Sequence, residues 1–373
     1  MNYDFTEQEQ QLITRVKAAA ETVMAGRESG RRMAPAELRT LLDRLIAELA
    51  PTGYLAAALS AETPLNAAAM AAMETLAGAA PELFLPLEMN ARVVGRLIAR
   101  YGSRKQQETF LKPLQSGEKI IALGLSEAAM NVVNEPLAAA GSRQDNCVRV
   151  SGRKGLVIGG AAADLVAVVG QLDDGLGVFF IDPAADGAVR EDFPADEHYG
   201  PPAAARLVLE NCAVDPDAVI GPVETDRLLT DLRTWEDQVL VAAATGVMGA
   251  ALFSATVHAK THQSGGKPVI AYQAVGFKLA ELFTLVQTSQ LMAYKTGWLE
   301  EIGDRELTTF TRCAKVFCTE SAETVCSGAL SILSAEGFAP QNPVAAAAGW
   351  AKFFQTAGTA TGIARVAVGQ AEL

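Results

Sequence analysis

The residues with the clearest capacity for chemistry are one carboxylate and a pair of histidines. Glu236 stands at the threshold of a charge-free run in TWEDQVLVAAATGVMGAAL. A carboxylate at the mouth of a buried helix is drawn toward a dry interior. Burial raises a carboxyl pKa toward the range that suits a general base near neutral pH. The same place also suits a first-turn acid favoured by the helix dipole. From local sequence alone, that structural role is the stronger reading for Glu236 and Asp237. His258 and His262 stand four apart, which sets both on one helix face. No glutamate lies between them and no third ligand is evident nearby, so no metal site is expected. With His198 they read as solvent or loop histidines.

Other chemistries lack their signatures. No G-x-G-x-x-G follows a strand, and the glycines of GRKGLVIGGAAAD sit among strands. The SGGKP run, Ser264 to Pro268, has neither the spacing of a P-loop nor its Ser/Thr after the lysine. No G-x-S-x-G elbow is present. The five cysteines, Cys147, Cys212, Cys313, Cys318 and Cys326, are odd in number and scattered, without a C-x-x-C pair. Reduced thiols in a cytoplasmic setting are expected, not a disulfide framework or a zinc site.

These residues need elements to hold them. Leu12, Ile13, Val16, Ala19 and Ala20 fall at helical spacing, and Pro35 to Leu49 repeats the pattern with a first-turn proline. Met70 to Ala79, Pro86 to Tyr101 and Ser103 to Leu114 are further helices, the last capped by Ser103, with Pro113 near its end. The texture changes near Gly117. From Ile120 to Ile220, short β-branched runs (IIALGLS, CVRVSG, LVAVVG, LGVFFID, ARLVLENCAV) alternate with Gly, Asp, Asn and Pro. They predict a compact antiparallel sheet or small barrel. Helical text returns over Asp226 to Lys260, Val269 to Glu301, Arg305 to Ser334, and from Pro343. The absence of alternating βα units excludes a doubly wound nucleotide fold.

Composition bounds the partners. A chain of 373 residues, half of them hydrophobic and 20% charged, buries a large core and forms two or three domains. Its net charge of −12 excludes a general binder of nucleic acid or anionic membrane. An anionic small ligand needs a local basic or amide-lined site. The acidic N-terminus, MNYDFTEQEQQ, is not a signal peptide. Val239 to Val257 is uncharged and close to a membrane span in length. It is rich in Ala, Gly, Ser and Thr, so a buried helix is expected and no membrane span.

The order of helices, β segment and helices, read with four motifs, resembles the acyl-CoA dehydrogenase family over nearly the whole chain. RYGSRKQQETFLKPLQSGEKIIALGLSE (100–127) resembles its helix-to-β junction. PPAAARLVLENCAVDPDAVIG (201–221) resembles its last β segments. GGKPVIAYQAVGFKLAEL (265–282) is similar to its F-G-x-P segment, and CAKVFCTESAETVCSGALSILSAEGF (313–338) to the helix that runs into a G-G-x-G-Y turn. The resemblance implies an α+β fold: an N-terminal helical domain (1–118), a small β-barrel-like domain (119–224) and a C-terminal four-helix bundle (225–373). It implies FAD held between subunits, an acyl-CoA thioester against the flavin, a glutamate base, reoxidation by an electron-transfer protein and a homotetramer or hetero-oligomer of dimers.

Carried over position by position, the resemblance sets Thr356 and Ala357 at the tyrosine and glutamate of the usual Y-E-G-T base segment. Gly358 and Thr359 keep its last two positions. The base is therefore missing there. Relatives that act on isovaleryl-CoA or long acyl chains carry it on the helix after the β domain, where EDQVLVAAATGVM sets Glu236. The resemblance thus favours Glu236 as base, with Asp237 in place of the arginine that follows. Two adjacent acids are expected to raise each other's pKa. For the flavin it implies Leu125 and Ser126, with Leu156 and Ile158 replacing a tryptophan and a hydroxyl residue. It also implies His262 in place of a diphosphate-binding arginine, Gly265 in place of a phenylalanine, Gln273, Ser331, Ala335 in the turn, and Thr359. Glu336 adds a negative charge near the AMP half, and Val132 replaces a ligand-contacting serine.

These losses, at about 0.5–1.5 kcal/mol each, predict weakened FAD binding. The implied function is α,β-desaturation of an acyl-CoA in fatty acid metabolism. A non-catalytic or half-site subunit of a hetero-oligomer, or a flavin-dependent lyase or decarboxylase on the same fold, are the alternatives.

Overall fold

The computed structural model describes residues 4–27, 33–60, 63–127, 136–144, 146–193, 201, 203–339 and 342–372. Helices come first: α1 (Glu7–Met24), α2 (Pro35–Leu49), α3 (Tyr54–Ala58), α4 (Ala67–Ala79), α5 (Pro81–Glu88), α6 (Arg96–Tyr101) and α7 (Arg104–Ser116). Their starts are written in side chains. Thr6 with Glu9 and Ser103 with Gln106 form capping boxes, Asn66 caps α4, and prolines open α2 and α5. Pro113 lies inside α7, close to its end.

The single helix expected over Pro86 to Tyr101 is corrected. A π-helical segment, Met89–Gly95, separates α5 from α6. It has a visible purpose, because it turns Asn90 so that its Oδ1 accepts a 2.7 Å hydrogen bond from the amide of Ile121. Glu88, just before it, accepts from the Tyr54 hydroxyl at 2.7 Å and from Arg92 Nε at 2.9 Å, a paired set within the core.

Among the described residues, eight strands follow: β1 (Ile121–Gly124), β2 (Ala140–Gln144), β3 (Cys147–Val157), β4 (Leu165–Leu172), β5 (Gly175–Ile181), β6 (Ala188–Asp192), β7 (Ala205–Val214) and β8 (Val219–Val223). Their order is β6-β7-β3-β2-β4-β5-β8, with β1 also on β4. The sheet is mixed, not the antiparallel one expected. Both β1 and β2 pair with β4 in parallel, β1 against Leu165 to Val168 and β2 against Gln171 and Leu172. The chain leaves β4's edge after Gly124 and returns at Ala140. Leu125, Ser126 and Glu127 therefore stand where the sheet opens. Two register shifts in β3, one between Val150 and Gly152 and one between Lys154 and Val157, bend that strand beside the opening.

The rest is helical: α8 (Thr225–Thr261), a short hairpin of β9 (Gln263–Ser264) and β10 (Lys267–Pro268), α9 (Gln273–Glu301), α10 (Leu307–Leu333), α11 (Pro343–Thr356) and α12 (Thr361–Glu372). The expected start of α9 at Val269 is instead a 3-10 turn, Val269–Ala271. The charge-free run lies in the middle of α8. Although α8 is long and apolar enough to cross a membrane, 72% of its most apolar window is buried inside the molecule. It packs against α4, α9, α10 and α11. The crossing with α4 is close enough to require glycine. A Cβ at Gly246 would stand 2.2 Å from the carbonyl oxygen of Glu74.

Candidate active site

A cavity of about 730 Å³ opens between the sheet and the C-terminal helices. Leu125, Ser126, Leu156 and Ile158 line one side, and Arg233, Glu236, Thr356, Ala357 and Gly358 line another, with Met89 of the π segment between. The sheet side is built by the opening beside β3. The amide of Gly155 donates to the Ser126 carbonyl at 2.9 Å, and Ser126 forms an isolated bridge with Leu156. The Ser126 hydroxyl has no hydrogen-bond partner among the described residues and lines the cavity.

Behind this wall, Lys154 is fully buried. Its Nζ donates to Glu127 Oε1 at 2.6 Å and to the Leu125 carbonyl at 3.2 Å. Glu127 also accepts the amides of Ala138 at 2.6 Å and Ala139 at 3.0 Å, which ties the two ends of the excursion from the sheet together. Burial pushes the Lys154 ammonium down to about 8, against the raising pull of Glu127. Burial also pulls the Glu127 carboxyl up, but Lys154 and the two amides more than offset it and leave it below its ordinary value.

The lysine has a consequence for stability. Between pH of about 8 and 10.5, an unfolded chain holds this proton while the folded chain releases it. Its contribution to stability therefore rises with pH across that window. The difference in unfolding free energy between the wild type and Lys154→Met is expected to grow by about 3 kcal/mol over it. Urea unfolding at a series of pH values measures this, and parallel curves would show that the ammonium is not buried in solution.

The helical side centres on Glu236, which is 7% exposed. Arg233, one turn earlier on α8, donates from one terminal nitrogen to Glu236 Oε2 at 2.7 Å and to the Gly358 carbonyl at 3.1 Å. Glu236 Oε1 receives no hydrogen bond from a described residue. Asp237 points elsewhere. Its Oδ1 accepts the amide of Thr359 at 2.9 Å, and burial raises its carboxyl with only a minor part from Glu236. The expected mutual effect of the adjacent acids is thus small for Asp237. Lys315 on α10 donates to the carbonyls of Ala357 at 2.9 Å and Thr359 at 3.1 Å. Burial lowers this ammonium, against the nearby Asp237 and Glu236.

The backbone of residues 357–359 is thereby held by Arg233, Asp237 and Lys315. Gly358 is required at its centre, with φ +61° and a notional Cβ 2.6 Å from Asp237 Oδ1 and 3.4 Å from Glu236 Cγ. The two positions where sequence reasoning sets a base, Ala357 and Glu236, therefore meet on one wall.

Of the expected site residues, Leu125, Ser126, Leu156, Ile158, Glu236 and Ala357 line the same cavity, and Thr359 is packed behind it. His262, Gln273, Ser331 and Ala335 do not line it. They lie on exposed positions, His262 at the C-cap of α8, Gln273 on α9, Ser331 on α10 and Ala335 in the turn after α10. Val132 and His198 fall outside the described residues. Sequence reasoning missed Arg233, whose spacing from Glu236 sets both on one helix face, and Lys315 and Lys154, whose partners are distant in sequence. The view that the two histidines have no third ligand is also corrected. Glu336 lies beside them, its carboxylate 3.1 Å from His258 Nδ1 and 3.6 Å from His262 Nδ1.

Comparison with known proteins fits this geometry. The model of the acyl-CoA dehydrogenase N-terminal domain matches residues 6–118, and that of the acyl-CoA dehydrogenase C-terminal domain matches residues 234–373. The 3-(aryl)acrylate reductase of Clostridium sporogenes is 26% identical over 282 residues, 73% of this chain and 74% of that protein. The benzylmalonyl-CoA dehydrogenase of Aromatoleum aromaticum is 26% identical over 289 residues, 75% of this chain and 71% of that protein. The solved structure of butyryl-CoA dehydrogenase from Megasphaera elsdenii superposes over the whole of both chains with a TM-score of 0.87 at 21% identity.

Proposed function

The chain belongs to the acyl-CoA dehydrogenase family and is an oxidoreductase of that family, and from this premise we propose that it desaturates an acyl-CoA thioester between the α and β carbons, with FAD as cofactor and Glu236 as base. The observation that carries the reading is the cavity itself, which sets the apolar side chains of Leu125, Leu156 and Ile158 across from the Glu236 carboxylate. Its rim adds Arg153, Arg206 and Lys352, so a chain of net charge −12 turns a basic surface toward an anionic thioester.

The residues fit the ring-bearing half of FAD. Ser126 offers an unpartnered hydroxyl, and Leu125, Leu156 and Ile158 offer a flat apolar face. When bound, FAD accepts the β-hydrogen together with its electron pair. Glu236 takes the α-proton on Oε1, the oxygen Arg233 leaves free, while Arg233 fixes the carboxylate's direction. The electron pair of the broken α C–H bond becomes the new π bond. Leu125, Leu156, Ile158 and Met89 exclude water from the reacting carbons. Reoxidation of the reduced cofactor would fall to an electron-transfer protein.

The test is the visible absorption spectrum of the chain purified alone, recorded before and after addition of FAD. A bound-flavin spectrum is expected, with binding weaker than micromolar because the departures at Leu156, Ile158 and His262 each remove a polar or stacking contact. No flavin signal with FAD in excess would overturn the stand-alone enzyme. One observation favours a second reading in that case. Glu336 sets a carboxylate against His262, where the resemblance implies the dinucleotide's phosphates, so the chain would serve as the flavin-poor subunit of a hetero-oligomer. Co-purification of a second family member carrying FAD would support it.

A further inference from the structure

We propose that His258, His262 and Glu336 form a binding site for a divalent transition metal of the zinc class, apart from the active-site cavity. The C-terminal end of α8 presents the two imidazoles, His258 in its last turn and His262 at its C-cap, stacked with ring centroids 4.6 Å apart and planes 17° apart. Both turn Nδ1 toward one carboxylate, from which they stand 3.1 and 3.6 Å away. The three prospective ligand atoms lie within 4.8 Å of one another. In a tetrahedral site with bonds of about 2.0–2.1 Å, ligand atoms stand about 3.3 Å apart. The two nitrogen-to-oxygen distances, each to a different oxygen of the carboxylate, lie on either side of that value. The remaining adjustment is a rotation of His262, whose side chain is 46% exposed.

Three further features point to a cation. Two imidazoles and one carboxylate are a donor set that zinc accepts while keeping an open position. The site lies at the C-terminal end of a 37-residue helix, where the macrodipole is negative. Glu336 is held for the task by a short 3-10 turn, Ser334–Phe338, entered through Ser334 at φ +54°. Its backbone carbonyl accepts from Asn342 Nδ2 at 3.1 Å and from the amide of Ala339 at 3.2 Å. The metal would staple the end of α8 to the turn after α10. Its open position would take water or an anionic oxygen, such as one of a phosphate. None of the three residues lines the active-site cavity, but the resemblance sets His262 and Glu336 at the cofactor's phosphates and AMP half, so the metal is titrated into the chain without added FAD.

The test uses the untagged full-length chain, stripped with a chelator and titrated with Co²⁺, then with Zn²⁺ in competition. Expected are one ion per chain, visible Co²⁺ bands of a low-coordinate nitrogen and oxygen site, and their displacement by Zn²⁺. His258→Ala should abolish the bands, and Glu336→Gln should weaken binding at least about tenfold. Zn²⁺ should raise the melting temperature of the wild type and not of either variant. His262→Asn alters only a half-exposed side chain, so it remains readable if His258→Ala folds poorly. No saturable binding would overturn the site in favour of a plain imidazole–carboxylate hydrogen-bond cluster. Binding that survives His262→Asn and Glu336→Gln would place the ion elsewhere and overturn it equally.

Discussion

Glu236→Gln will lower acyl-CoA turnover by about 10²- to 10⁴-fold, the range supplied by a positioned general base. Its fold and flavin content are expected to stay as in the wild type. The amide oxygen of glutamine can still accept from Arg233, so the buried guanidinium is not orphaned. What disappears is the proton acceptor. The variant is best read twice. Turnover with an artificial electron acceptor reports the whole reaction, whereas exchange of the α-protons of a bound thioester with deuterated water reports the base alone. Both should fall together while the dissociation constant for substrate changes little. Unchanged exchange in Glu236→Gln would sink the assignment. The contact between Gly358 and Glu236 adds a sharper form. Ala357 lines the same wall, so Ala357→Glu in the Glu236→Gln background should restore part of the exchange.

Much of this frame was legible in the sequence, for reasons that are local. The charge-free run of α8 announces a helix buried on most sides. Ser103 and Gln106 announce the start of α7 through two hydrogen bonds three residues apart. Leu125, Ser126, Leu156 and Ile158 share the cavity because β1 and β3 are neighbours of one opening in the sheet. The illegible part is what depends on tertiary contact. The mixed pairing of β1 and β2 on β4 reflects an excursion of the chain that no alternation of side chains encodes. The π segment has no propensity signal, and it accompanies a tertiary contact, the hydrogen bond from the Ile121 amide to Asn90. Glu336 reaches two histidines more than seventy residues earlier only because α8 and α10 pack together. Arg233 is the exception. Its separation from Glu236 is a helix-face spacing, and a search of that face would have found the pair.

Lys315→Met should be the most destabilising of the substitutions considered, by about 3–5 kcal/mol, the cost of breaking a buried charge arrangement from one side. Lys315 neutralises Asp237 across the segment 357–359 and is itself the donor to two buried carbonyls. Methionine fills the volume but supplies neither charge nor N–H. The pH dependence follows from Asp237, whose carboxyl burial already raises. Without the ammonium it rises further, so the folded variant holds a proton that the unfolded chain gives up above the ordinary carboxylate range. Stability of Lys315→Met relative to wild type should therefore fall as pH rises above the ordinary carboxylate range. Adding Asp237→Asn should recover about 0.5–3 kcal/mol, the coupling typical of residues in contact, and should flatten that slope. Strict additivity of the two substitutions in urea unfolding would show that the pair is not coupled. The Ala357 and Thr359 carbonyls would remain unsatisfied even in the double variant, so recovery must be incomplete. That residue of lost stability measures what the clamp on 357–359 contributes, and the same loosening should weaken substrate binding, because this segment walls the cavity beside Glu236.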